Sequence, residues 1–152
     1  MKIIIDTREQ KLLDFKYEYV SSVERIKLNV GDYACQFEDG YEVPVYFERK
    51  NISDLFGTMG KGYPRFKKEI QRAKDTNVKL ILIIEGSMTK VLKGVKYSKM
   101  RGTSVVKKLF TLWFKYGLVP VYCQNREDMS RYIYEYYCKI GELRSKGIEV
   151  TL

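Results

Sequence analysis

Histidine is missing from all 152 residues of the chain. Its absence excludes imidazole bases, Ser-His and Cys-His catalytic pairs, and histidine-ligated zinc. Only three cysteines are present, Cys35, Cys123 and Cys138, and none forms a CxxC pair. A disulfide framework or a zinc site is therefore not expected, and buried structural thiols fit the pattern better. Long apolar runs are lacking too. The longest, Leu80 to Ile84, has strand length and falls well short of the roughly 20 residues a membrane helix needs. Met1 to Asp6 reaches a carboxylate too early to serve as a signal peptide. A soluble intracellular protein without a membrane partner is expected, cytoplasmic or nuclear depending on its source. Hydrolytic chemistry in such a chain must draw on carboxylates, lysine, tyrosine or a hard cation.

Acidic residues are scarce in one half. Residues 1–85 carry 15 basic and 14 acidic side chains, whereas residues 86–152 carry 13 and 5. Nearly all of the formal charge of +9 therefore belongs to the second part. Between Gly86 and Lys108 stand Lys90, Lys93, Lys96, Lys99, Arg101, Lys107 and Lys108 with no acid among them. A field of this sign suits an anionic polymer, although lysine on a loop also serves plain solubility. The length fits one domain, with no internal repeat and no low-complexity linker.

The apolar pattern sketches the elements. Lys2 to Asp6 reads as a buried strand with an acid at its tip, and Ser22 to Val30 as an alternating strand broken by Gly31-Asp32. Tyr33–Phe37 and Val43–Glu48 flank Glu38-Asp39-Gly40, a hairpin whose glycine supplies the left-handed residue. Asn51 or Ser53 is placed to cap a short helix through Phe56. Phe66, Ile70 and Ala73 mark a helix over Pro64–Lys74 with a basic outer face. Lys79–Glu85 is apolar enough for a central strand, and Leu118–Tyr122 is another. Helices are expected over Thr103–Tyr116, ended by Gly117, and over Arg126–Leu143. Strands first, then strands alternating with helices, predict an α/β sandwich around a mixed sheet.

Four carboxylates fall at element ends: Asp6, Asp32, Glu48 and Asp54. Glu48 and Lys50 are two apart on an extended segment, so they share a face. The short hairpin returns Glu48 beside Asp32 and gathers two acids and an ammonium at one point. Oxygen ligands of this type suit a hard divalent cation, which acidifies its water and neutralises charge on a phosphoryl group in flight. Lys50 could hold the attacking water, counter the developing charge, or act as a base if its pKa were lowered. Taken singly these acids are ordinary turn formers and caps, and Glu48-Arg49-Lys50 could be a solvated edge. The combination points to phosphodiester hydrolysis.

Asp6-Thr7-Arg8-Glu9, Gly31-Asp32 and Glu48-Arg49-Lys50, followed three residues later by Asp54, resemble the nuclease domain of the XPF (xeroderma pigmentosum group F) family of structure-specific endonucleases. The resemblance covers nearly the whole chain and implies a restriction-endonuclease-like three-layer sandwich of the PD-(D/E)xK group. It implies Mg²⁺ or Mn²⁺ held by Asp32 and Glu48 with Asp6 nearby, and support from Glu9 and Asp54. Arg8 and Arg49 would engage phosphate or orient the acids. DNA is the implied partner, and a homodimer the implied assembly. The expected unit is a single nuclease domain over 1–152, because the family's tandem helix-hairpin-helix module is not seen before Leu152. Its role would fall to the basic stretch with Lys93, Lys96, Lys99 and Arg101, or to a separate DNA-binding partner. Gly60-Lys61-Gly62 lacks the frame of a Walker loop. It reads instead as a phosphate-contacting turn, after which Arg65, Lys67 and Lys68 could follow a strand backbone. Tyr132, Tyr134, Tyr136 and Tyr137 fit a dimer interface better than a base-stacking surface. A catalytically silent DNA-binding or dimerisation partner, or a nuclease for another nucleic acid, remains the competing expectation.

Overall fold

The computed structural model describes residues 1–152. Its centre is one six-stranded mixed sheet of β1 (Lys2–Ile5), β2 (Ser22–Arg25), β3 (Tyr33–Gln36), β4 (Val45–Asn51), β5 (Lys79–Glu85) and β6 (Val119–Cys123), in the order β2-β1-β3-β4-β5-β6. β3 runs antiparallel to both β1 and β4, whereas β1–β2, β4–β5 and β5–β6 are parallel. β5 therefore lies between two parallel neighbours, and its five consecutive buried residues satisfy the need of such a strand for cover on both faces.

Helices α1 (Ile52–Met59), α2 (Tyr63–Asp75) and α4 (Gly102–Tyr116) close one face. There Leu55, Phe66, Ile70 and Leu109 meet Leu80, Leu82 and Ile84 of β5. On the opposite face α5 (Arg126–Ser145) brings Met129, Ile133, Tyr137 and Ile140 against Ile3, Phe47, Ile81 and Ile83. The expected three-layer α/β sandwich is thus the observed one. No helix is long and apolar enough to cross a membrane.

Local signals account for several boundaries. Asn51 caps α1 through its side chain, which accepts the Asp54 N–H at 2.8 Å. Gly117 ends α4 in the left-handed conformation, φ +72°. Cys35 and Cys123 are buried thiols and Cys138 is half-buried, as their spacing implied.

Other expectations are corrected. Only Ser22–Arg25 of the anticipated Ser22–Val30 strand pairs, because its partner β1 ends at Ile5. There Arg25 turns its guanidinium to the carbonyls of Thr7 and Glu9. The basic stretch after Gly86 contains a helix, α3 (Met88–Lys93), capped by Ser87 and anchored by Val91. The α5 tyrosines are mainly core. Tyr137 is fully buried with its hydroxyl on the Val45 carbonyl at 2.7 Å, Tyr134 stacks on Tyr17, and only Tyr132 is exposed.

Candidate active site

The β3–β4 ladder breaks where the site begins. The last pair in register is Tyr33 with Phe47, and continuing it one step sets Asp32 opposite Glu48. Opposed residues share a face, so these carboxylates lie together on the side covered by α2, while Tyr33 and Phe47 point into the other core. Instead of a strand partner, the Arg49 N–H donates to Asp32 Oδ2 at 2.8 Å. The Asp32 N–H in turn donates to the Phe47 carbonyl at 2.8 Å, and the Asp6 N–H to the Asp32 carbonyl at 2.8 Å. Gly31 makes the turn possible. Its φ is +71°, and a Cβ there would meet Leu80 Cδ1 and the Phe47 carbonyl, each at 3.2 Å.

Glu48 is only 5% exposed. Its Oε1 lies 3.0 Å from Lys50 Nζ, whose stem is largely buried. Burial, the Asp32 charge and the Glu69 charge push the Glu48 carboxyl well up, and Lys50 only partly opposes them. Burial also raises Asp32 to about 6, against the hydrogen bond from Arg49. Lys50 behaves oppositely. Its burial favours the neutral amine, but Glu48 and the neighbouring acids more than offset this, and its pKa rises.

These residues line a cavity of about 430 Å³ with Asp6, Arg8, Gly31, Arg65, Glu69 and Arg72. A larger concavity of about 1090 Å³ lies at the far end, between Met1 and α5. There Glu38, Asp39 and Glu142 are each tied to a nearby cation, so size does not mark the chemistry.

The donor set fits a hard cation. Asp32 and Glu48 line one cavity across the broken ladder, and Glu48 feels more negative charge from Asp32 and Glu69 than Lys50 offsets. No three carboxylates converge tightly enough to cage an ion. Mg²⁺ characteristically takes one or two carboxylates and keeps several waters, which two acids at the edge of a cavity accommodate.

The remaining candidate residues divide. Asp6 borders the cavity, yet its oxygens accept from Arg8 Nε at 2.8 Å and the Leu28 N–H at 2.8 Å. Arg8 reaches back to the Leu28 carbonyl and stays largely open to solvent. Glu9 and Arg49 form a bidentate pair, 2.8 Å on each arm, on the opposite side of β4. The side chain of Arg49 is therefore absent from the cavity, and only its N–H serves Asp32. Asp54 is exposed in the first turn of α1 and does not line the cavity. Of the basic candidates, Arg65 lines the mouth, whereas Lys61, Lys67, Lys68, Lys93, Lys96, Lys99 and Arg101 do not. Lys67 lies over the Tyr63 ring at 4.8 Å; the other six are exposed.

The sequence matches the ERCC4 domain family over residues 5–136. The chain belongs to that family. XPF from Aeropyrum pernix has a similar structure, with a TM-score of 0.63 at 17% identity over 95% of this chain and 69% of that one. XPF from Aeropyrum pernix in complex with DNA gives a TM-score of 0.63 at 17% identity, covering 99% of this chain and 68% of that chain. No curated protein sequence matches.

In this ERCC4 domain the cavity holds two residues that sequence reading missed, Glu69 and Arg72. Glu69 is the only acid of α2 before Asp75, and that isolation in a basic helix was the available signal.

The two raised carboxyls have a consequence for stability. With both folded-state pKa values above the ordinary range, Asp32 and Glu48 of the folded ERCC4 domain without metal hold more protons than in the unfolded chain between about pH 5.5 and 7, above the range where the acids with lowered pKa values titrate. Stability therefore increases as pH falls through that window and is lost as pH rises. No histidine is present to mask the effect. In EDTA the melting temperature should be higher at pH 5.5 than at pH 7.5 by about 5 °C, and Asp32→Asn should flatten the dependence. A profile equally steep in Asp32→Asn would refute the assignment.

Proposed function

We propose that this ERCC4 domain is a divalent-metal-dependent DNA endonuclease, one nuclease unit over residues 1–152, hydrolysing phosphodiester bonds in branched or partly single-stranded DNA during repair or recombination. The observation that carries the reading is the Asp32–Glu48 pair facing Lys50 in one cavity rimmed by arginines.

Asp32 and Glu48 would hold Mg²⁺ or Mn²⁺, and the bound cation would supply an acidified water and neutralise charge in the transition state. Glu48 lines the cavity and is fixed there by burial and by Lys50, so it would engage a cation with little reorganisation. Lys50 is best placed as an ammonium that counters the charge growing on the phosphoryl oxygens, because its surroundings raise its pKa. Arg8, Arg65 and Arg72 border the same cavity and would seat the flanking phosphates. The complex of XPF from Aeropyrum pernix with DNA, a structural relative, supports DNA as the substrate.

A second copy of the chain is the proposed partner. Phe110, Trp113 and Phe114 stack on one another along α4, and Phe114 is 79% exposed. Surface aromatic clusters of this kind favour a protein contact. A separate DNA-binding chain would extend the footprint further.

The deciding experiment incubates the protein with labelled duplex, flap, fork, single-stranded DNA and RNA, with Mg²⁺, Mn²⁺ or EDTA. Cleavage of a branched DNA is expected with either metal and none in EDTA. Binding without cleavage under every condition would favour the silent-partner reading, against which the intact Asp32, Glu48 and Lys50 stand.

A further inference from the structure

Helix α2 reaches into the site through a residue outside the sequence motifs. Arg65, Glu69 and Arg72 are spaced four and three apart, which puts them on one face of the helix, and all three line the cavity. Phe66, Ile70 and Ala73, each one position further on, pack the adjoining face of the helix against the sheet. Glu69 stands between two arginines, yet no cation lies within ion-pairing distance of it. Its Oε1 instead accepts the Gly31 N–H at 3.1 Å.

That bond has a particular place. Gly31 lies in the left-handed turn where the β3–β4 ladder stops, so no strand carbonyl takes its N–H. The next residue, Asp32, is tied by its carbonyl to Asp6 of the first strand's end and by its N–H to Phe47 of β4. Glu69 adds a third tether, from the helical layer. The Glu69 oxygen thus pairs a backbone N–H that the sheet leaves without a partner, an obligation that any side-chain oxygen at that point would meet. The Gly31-Asp32 turn is thereby fixed to the helix that carries Arg65 and Arg72.

We propose that Glu69 is a positioning residue of the ERCC4 site, holding the Gly31-Asp32 turn so that the Asp32 carboxylate and the arginines of α2 are set as one rigid unit. The proposal rests on the metal-dependent reading of the cavity. Glu69 acts through its hydrogen bond to Gly31 and is not itself a metal ligand. Groups of this outer kind typically change metal affinity by about 10–100-fold when removed.

Two variants separate the hydrogen bond from the charge. Glu69→Gln and Glu69→Met both remove the negative charge and keep the side-chain length and a good helix former. Only glutamine retains an oxygen that can accept from Gly31. Mn²⁺ affinity, measured by water-proton relaxation on the whole chain, should stay within about threefold of the unmodified protein for Glu69→Gln. It should fall about 10–100-fold for Glu69→Met. Amide exchange at Gly31 should remain slow in Glu69→Gln and become fast in Glu69→Met. The cleavage rate at saturating DNA should follow Mn²⁺ affinity, with KM for DNA nearly unchanged.

Equal losses of Mn²⁺ affinity in the two variants would make Glu69 a ligand or an electrostatic partner and overturn the proposal. So would full retention in both. Failure of the unmodified protein to bind Mn²⁺ would overturn the metal-site reading and this proposal with it. Binding by the parent with equal behaviour of the variants would overturn the proposal alone. Cooperative melting of each variant shows that the comparison is made between folded proteins.

Discussion

Replacing Lys50 by alanine should lower the single-turnover cleavage rate by about 10²–10³-fold, the cost of deleting one preorganised charge-stabilising donor from an active site. The ammonium sits 3.0 Å from Glu48 Oε1 and its stem is largely sheltered from water. In such surroundings a charge placed before reaction acts with little solvent reorganisation. Asp32→Ala, which removes half of the carboxylate pair, should reduce the rate at least as far. Neither change touches the exposed lysines, so the affinity of both variants for branched DNA should remain within a fewfold of the parent. The measurement is quench-flow cleavage at saturating Mg²⁺, paired with a binding titration in Ca²⁺. A Lys50→Ala rate within tenfold of the parent would remove Lys50 from the chemistry. The pH–rate profile also distinguishes its roles. As an ammonium with a raised pKa, Lys50 contributes no limb near neutral pH. As a base it would add a rising limb that Lys50→Ala abolishes.

Much of this arrangement was legible because it is local. The Asp39-Gly40 turn dictates that β3 and β4 return on each other, and strand alternation puts Glu48 and Lys50 on one face. Those two facts are enough to bring Asp32, Glu48 and Lys50 together. The same alternation assigns Arg49 to the opposite face. Its grouping with the candidate metal-binding acids followed from adjacency in the motif, whereas the guanidinium lies across β4 against Glu9. Asp54 shows a similar limit. Its position in the first turn of α1 makes its N–H the donor to the Asn51 cap, a helix-end role that sequence spacing does not separate from one in the site.

What stayed hidden depends on packing between layers. Nothing in Tyr63–Asp75 indicates that its polar edge overhangs the β3–β4 break, so Glu69 and Arg72 looked like parts of a solvated basic face. The six-residue helix α3 was concealed in the lysine-rich stretch because its main anchor is Val91, buried against α4. Four tyrosines close together in α5 resembled an interface until the T-shaped contacts of Tyr136 and Tyr137 with Phe47 drew them inward. In each case the residue's own properties permitted two surroundings, and the tertiary neighbour decided.

The second large effect concerns stability. Glu9→Met should lower the melting temperature at pH 7.5 by about 6–12 °C, from an uncompensated buried guanidinium costing roughly 3 kcal/mol at about 2–4 °C per kcal/mol for a chain of this size. Side-chain exposure is 6% for Glu9 and 8% for Arg49. The pair makes two bonds of 2.8 Å, Tyr33 donates to the same carboxylate at 3.2 Å, and Arg49 Nη1 has no partner. Removing Glu9 therefore strands a cation that cannot shed its proton. Arg49→Met is different, because the stranded group is then an acid. Burial works to raise the Glu9 pKa, and at present the Arg49 hydrogen bonds and charge outweigh it and lower it. Without Arg49 the burial effect prevails, and Glu9 can be buried neutral by taking up a proton. The penalty of Arg49→Met should shrink between pH 7.5 and 5, whereas that of Glu9→Met should not. Joining the two substitutions should return the melting temperature most of the way to the parent, since hydrophobic pairs of similar volume often replace buried ion pairs without loss. Thermal melts of the three variants at both pH values test this. An additive double variant, or equal pH dependence in the two single ones, would show that the pair is not coupled through its buried charges.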